Sequence, residues 1–209
     1  MQGRLTGQII GITPDGTSVT PGDTSVTLHL AGHTDNGQRG VTWIHAVKFT
    51  GSRRPSMALR VGQQVEVDCV AVHHVFTVRG QQASRVEVLG KSVRVIRGQT
   101  EQRGQVLCLK NAVNQFTFSG HLVDAPVIKT THPVTEARVG VRDRTQHVHY
   151  FKCEAWRELG ARLGQTRRGG ELTFTCILRR DKAGERAFDV MEVQALQSVQ
   201  PQPLANAAD

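Results

Sequence analysis

Aromatic side chains are scarce in this sequence: one tyrosine, two tryptophans and seven phenylalanines among 209 residues. A core built mainly from rings is excluded, and any rings that recur at matched positions become informative. Cysteine is equally sparse. Cys69, Cys108, Cys153 and Cys176 contain no CxxC pair, and three of them lie in apolar strand patterns, where a reduced thiol packs as a small hydrophobe. No apolar run approaches the ~20 residues of a membrane-spanning helix, and the start MQGRLTGQII has no basic stretch followed by an apolar signal core. A cytoplasmic chain is expected. P-loop, GxSxG, HExxH and paired-carboxylate patterns are missing, and serines and acids fall in turns without an evident partner. Neither catalysis nor a cofactor is expected from such a sequence.

What is present points to β structure. Valine is frequent, 21 glycines are scattered along the chain, and short alternating segments outnumber anything with helical period. The formal net charge is +8, shared by both halves, so the whole chain attracts polyanions, and nucleic acid suits it better than an acidic small molecule.

In the first half five strand-like segments run from Arg4 to Ile12, Ser25 to Gly32, Gly40 to Phe49, Gln64 to His73 and Ala83 to Ile96. Turn chemistry at Pro14-Asp15-Gly16, Pro21-Gly22-Asp23 and Asp35-Asn36-Gly37 separates them. The second half repeats the plan with Asn114 to Leu122, Thr135 to Arg142, Gln146 to Ala155, Glu171 to Arg180 and Ala187 to Leu196. Trp43 and Tyr150, Phe49 and Trp156, Gly62 and Gly169, and Cys69 and Cys176 are each 107 positions apart, and Gly7 and Gly120 are 113 apart. A nearly constant offset is the mark of an internal repeat. The expected division is 1–97 for a first domain, 98–113 for a polar linker or extra strand, 114–197 for a second domain and 198–209 for a flexible tail. After the third strand of the second half, Leu159 and Leu163 stand one helical turn apart. The matching stretch Ser52 to Leu59 contains Pro55 and reads as a poorer helix or open loop. Five strands with a short helix between the third and fourth make the OB-fold plan, so the fold class expected is mostly all-β, two tandem five-stranded OB barrels.

Each third strand carries two aromatics six residues apart, Trp43 and Phe49, then Tyr150 and Trp156. Even spacing puts both rings on one face of a strand. The alternate positions are Ile44 and Ala46 in one copy and Phe151, Cys153 and Ala155 in the other. These small or apolar residues are expected to form the core, which leaves the four rings outward as platforms for unstacked bases.

At these residues the sequence resembles the bacterial-type single-stranded DNA-binding (SSB) protein family. Asn114 to Pro126 resembles its opening strand, glycine and following turn. Tyr150 to Leu163 resembles its aromatic strand and helix, and Arg168-Gly169-Gly170-Glu171-Leu172 the approach to its fourth strand. The likeness implies base stacking by Trp43, Phe49, Tyr150 and Trp156, with Phe76 as a further ring beyond the fourth strand, where the second half has Ala183. It also implies single-stranded DNA as partner in replication, repair or recombination, with little sequence specificity. Four barrels per particle, reached here as a homodimer, and a nucleoid-associated location complete the expectation. The acidic, proline- and phenylalanine-containing tip usual in the family is replaced by Gln200 to Asp209, and no stacking aromatic follows the second strand.

Phosphate contacts are expected from Arg53, Arg54, Arg142, Arg144, Lys152, Arg167, Arg168, Arg179, Arg180 and Lys182, with Arg179 to Lys182 the strongest cluster. His147, His149 and Cys153 resemble metal ligands, as do His73 and His74, but strand parity assigns Cys153 to the same side as Phe151 and the core, so no metal is expected. Two alternatives stay open: an SSB-like adaptor holding replication or recombination proteins together, and a strand-annealing or RNA-binding OB protein.

Overall fold

The computed structural model describes residues 2–14, 25–35, 40–55, 58–78, 80–183 and 186–200. The turns expected at 15–16, 21–23 and 36–37 lie outside the described residues, as does the tail from 201 onward. Two compact units emerge, Gln2–Phe116 and the chain from Thr117 onward.

In the N-terminal unit the alternating segments become β1 (Gln2–Pro14), β2 (Val26–Asp35), β3 (Gly40–Phe49), β4 (Gln64–Val78) and β5 (Gln81–Ile96). They close on themselves in the order β1-β2-β3-β5-β4-β1. All neighbours are antiparallel except β3 and β5, which run parallel at Val47↔Val88 and Lys48↔Leu89. This is the five-stranded OB barrel, and closure leaves none of the five as an unpaired edge. Between β3 and β4 the described residues form a 3-10 turn at Gly51–Arg53. The polar stretch after β5 enters a hairpin of β6 (Thr100–Arg103) and β7 (Val106–Lys110), and β7 lies parallel to β2 at Gly32↔Leu109.

The C-terminal unit repeats the barrel with β8 (Asn114–Leu122), which joins it from Thr117, then β10 (Val134–Arg142), β11 (Val148–Trp156), β12 (Glu171–Ala183) and β13 (Arg186–Gln200). The short β9 (Val127–Ile128) precedes β10, and α1 (Arg157–Gly164) fills the place between third and fourth strands. The order is β8-β12-β13-β11-β10, closed by Leu122↔Val139 and His121↔Gly140. Leu163 anchors α1 in the core, with Leu159 half-buried one turn earlier.

Period-2 alternation does the packing. Leu5, Ile9, Leu28, Leu30, Val65 and Val67 fill the first barrel, while in the second Phe118 packs against Phe151 and Phe174 at centroid distances of 4.9 and 5.5 Å. The four cysteines are reduced and buried. Burial, with a smaller push from Asp68, raises the Cys69 thiol to about 12, and burial likewise raises Cys153 and Cys176. A thiol held protonated is a poor nucleophile, so these three act as packing residues.

The parallel strand pair measures the repeat. Val88 lies opposite Ala71 and Val47, and Met191 opposite Leu178 and Cys153. The fourth strands therefore correspond at the offset of 107 seen in Cys69 and Cys176, and Gly62 and Gly169 share a positive φ of 93° and 79°. The third strands correspond at 106, because Val47 matches Cys153. A one-residue slip exchanges the two faces of a strand. The counterpart of Tyr150 is thus Ile44, and that of Ala155 is Phe49.

Candidate nucleic-acid interface

The slip decides where the first pair of rings goes. Along β3, Trp43, His45, Val47 and Phe49 are buried while Thr42, Ile44 and Ala46 are exposed. The expectation that Trp43 and Phe49 face outward is corrected: Trp43 is 4% exposed and Phe49 fully buried. The apolar Ile44 and Ala46 point to solvent, Ile44 with 46% exposure. Buried tryptophan needs a partner for its N–H. Here Trp43 Nε1 donates to Thr34 Oγ1 at 2.8 Å, and its ring stacks on His45 with centroids 4.9 Å apart. His45 Nε2 lies 3.2 Å from the Asn114 side-chain amide. Two glycines make room for the rings, since a Cβ on Gly32 would collide with Trp43 and one on Gly90 with Phe49.

In the second half the expected parity holds. Phe151, Cys153 and Ala155 are buried and Tyr150 stands outward, 43% exposed. Its cross-strand partner is Gly140, which has no side chain of its own, and the Arg138 guanidinium lies 5.9 Å from its ring centroid. Trp156 is half-buried at the end of β11, with its indole Nε1 enclosed and without a hydrogen-bond partner among the described residues.

Two of the expected phosphate ligands are already engaged. Arg179, its side chain 15% exposed, reaches Glu154 at 2.7 Å, Asp181 at 2.7 Å and Glu192 at 3.1 Å. Lys152 lies 3.3 Å from both Glu136 and Glu154. This chain of ion pairs ties β10, β11, β12 and β13 together, so Lys152 and Arg179 serve the sheet. Arg180, on the opposite face of β12, is exposed. The side chain of Lys182 lies outside the described residues.

Other cations sit on turns. Arg53 and Arg54 are exposed at the 3-10 turn, and Arg167 and Arg168 before β12. Arg142 and Arg144 flank Asp143 in the turn between β10 and β11. Asp143 organises that turn: its Oδ1 accepts from Thr145 Oγ1 at 2.7 Å, Thr145 N–H at 2.8 Å and His147 N–H at 3.0 Å, and its Oδ2 lies 3.2 Å from His149 Nε2. The Thr145 hydroxyl, followed by His149 and the two backbone donors, holds the carboxyl at about 2, below its ordinary range. His147 and His149 therefore belong to a turn anchored by a carboxylate, and among the described residues no group of three or more His, Cys, Asp or Glu side chains is placed to hold a metal.

Each long hairpin carries one more ring. Phe76 on β4 is 39% exposed with Arg85 5.8 Å from its centroid. In the C-terminal unit Phe188 on β13 is half-buried with Lys152 Nζ 4.9 Å from its centroid. Phe188 and Arg138 were not singled out from the sequence. Counting across the hairpin turn, where Asp181 faces Phe188, would have found the ring.

No family model matches the chain. Curated relatives do. The single-stranded DNA-binding protein of Thermus aquaticus is 28% identical over 87% of this chain and 78% of its own length, and that of Thermus thermophilus is 28% identical over 90% and 80%. The crystal structure of the wild-type Thermus aquaticus protein matches at a TM-score of 0.72 with 25% identity, covering 99% of this chain and 96% of that one. Over nearly its whole length the chain is thus similar, in sequence and in its two OB barrels, to single-stranded DNA-binding proteins of Thermus. The likeness spans both barrels, so the family resemblance read mainly from the second half extends to the first, although its third-strand rings face inward. These relatives are named for binding, and no described helix is long and apolar enough to cross a membrane.

Proposed function

We propose that the protein binds single-stranded DNA with little regard to sequence, in replication, repair or recombination. The observation that carries this is the match in sequence and fold, over nearly the whole of both chains, to proteins named for that activity. The geometry adds a mechanism. Tyr150 offers a ring beside a side-chain-free Gly140, with Phe76 and Phe188 on the hairpins as further surfaces. Arg53, Arg54, Arg142, Arg144 and Arg180, all exposed, supply phosphate contacts. Trp43 and Phe49 serve the core, Trp156 offers only a part of its ring, and Lys152 and Arg179 remain in their network. Each barrel acts as one domain, and two chains associate to present four barrels. Light scattering should then give twice the chain mass at micromolar concentration. A stable monomer would reject the dimer.

Titration with single-stranded DNA, duplex and RNA at several salt concentrations tests the binding. Single strands should win over duplex, since stacking needs unpaired bases, and affinity should fall as salt rises because neutralised phosphates release counterions. Tyr150→Ala should cost ~1–3 kcal/mol of single-strand affinity with the salt slope unchanged. Equal affinity for duplex and single strand would remove the reading. Burial of Trp43 favours the adaptor alternative, in which the rings are not platforms. That alternative requires the Tyr150 variant to bind DNA like its parent. RNA bound as tightly as DNA would point to the annealing or RNA-binding form.

A further inference from the structure

The two barrels differ at the seam where the first and second strands part. In the N-terminal unit β1 and β2 separate beyond Gln8↔Ala31, and the chain fills the opening. β7 pairs beside Gly32 and His33, Ala112 N–H donates to the His33 carbonyl, and Thr6 N–H donates to the Val113 carbonyl. Gln8 and Ala31 are buried as a result. In the C-terminal unit β8 and β10 separate beyond the corresponding pair, His121↔Gly140. There the opening is a groove of about 460 Å³, lined among others by Ser119, Gly120, His121, Gly140, Arg142 and Thr173. That volume suits a small-molecule-sized group.

Its chemistry is mixed. By register Ser119 and Arg142 stand where Thr6 and His33 stand, so the Ser119 N–H and the Arg142 carbonyl face the groove as a backbone donor and acceptor. A Cβ on Gly120 would collide with the Gly140 carbonyl, so the glycine is what lets the floor close. His121 places its imidazole over Gly140, with Nε2 3.1 Å from where a Cβ there would sit. The Ser119 and Thr173 hydroxyls pair at 2.9 Å, and Glu171 stands at the far rim. Arg142 is exposed at the near end. Across Gly140 from His121 lies Tyr150.

We propose that this groove is a nucleotide subsite present in the C-terminal unit alone, an inference that rests on the single-strand-binding reading above. A strand whose base lies on Tyr150 continues over Gly140 and sets the next nucleotide into the groove. Its base edge meets His121, the hydroxyls and the backbone pair, and its phosphate meets Arg142. Glu171 repels phosphate from the far rim and so fixes the direction. The N-terminal unit has no such subsite because residues 109–113 occupy it.

The test uses the full chain, labelled thymidine oligomers and fluorescence anisotropy. His121→Ala should weaken binding about tenfold without altering the salt slope. Arg142→Gln should lower that slope by about 0.7, the contribution of one single-strand phosphate. Gly140→Val, which fills the groove from its floor, should match the loss in His121→Ala. Should the valine variant fail to fold, photo-crosslinking of 5-iodouracil oligomers to the wild-type protein gives the second readout, with adducts expected at His121 and Tyr150. Parent-like binding by His121→Ala with no adduct at His121 overturns the subsite while leaving the function standing. A wild-type protein that binds no single strand overturns the function itself. Amide protection at Ser119–His121 that grows with protein concentration in the absence of DNA would show a peptide strand there, and would also overturn the proposal.

Discussion

Trp43→Ala should lower the stability of the protein by ~3–5 kcal/mol, the usual cost of removing a buried aromatic from a packed core. The indole contacts His45, sits over Gly32 and donates to Thr34, so truncation opens a cavity and strips the Thr34 hydroxyl of a donor. Under conditions where the variant stays folded, its affinity for single-stranded DNA should equal that of the parent, because the ring never reaches the surface. Urea denaturation beside an anisotropy titration checks both halves. A variant as stable as the parent but weaker on DNA would mean that Trp43 faces outward after all.

Arg179→Ala should be of similar size, ~3–5 kcal/mol, for a different reason. The guanidinium lies between Glu154 and Glu192, whose side chains are 10% and 7% exposed. Removing one partner of a buried ion pair leaves uncompensated charge, whose desolvation is no longer offset. The same change in an exposed phosphate ligand would hardly affect folding and would reduce the salt slope of binding. Denaturation of Arg179→Ala and Arg180→Ala side by side separates the cases. Loss of stability is expected from the first and loss of slope from the second. Adding Glu154→Gln and Glu192→Gln to Arg179→Ala should restore part of the stability. An Arg179→Ala protein of parental stability would show that the network contributes little.

Strands were legible because alternation is local: the ten expected segments agree with β1 to β5, β8 and β10 to β13 to within a few residues at most ends. The helix announced itself through Leu159 and Leu163, and Pro55 marked the poorer counterpart in the first half, where the described residues form a 3-10 turn. The orientation of β3 was not legible, because both faces carry apolar residues and the repeat offset there differs by one from that of the fourth strand. What separates the faces is the hydrogen bonding available to Trp43 and His45, supplied by Thr34 and Asn114, the latter 69 positions from His45. The ion pairs were hidden for the same reason. Glu154 and Arg179 are 25 positions apart and meet only once β11, β13 and β12 are side by side.

The partners of Trp43 and its neighbours have a bearing on synthesis. Thr34 donates its hydroxyl to the Ala112 carbonyl, Thr6 exchanges hydrogen bonds with Val113, and His45 is joined to Asn114. A nascent chain that has just completed β5 has all five barrel strands but lacks these groups. The tryptophan end of its barrel is open to water until some eighteen further residues clear the ribosome exit, from Arg97 to Asn114. A fragment ended at residue 97 would be left permanently in that state.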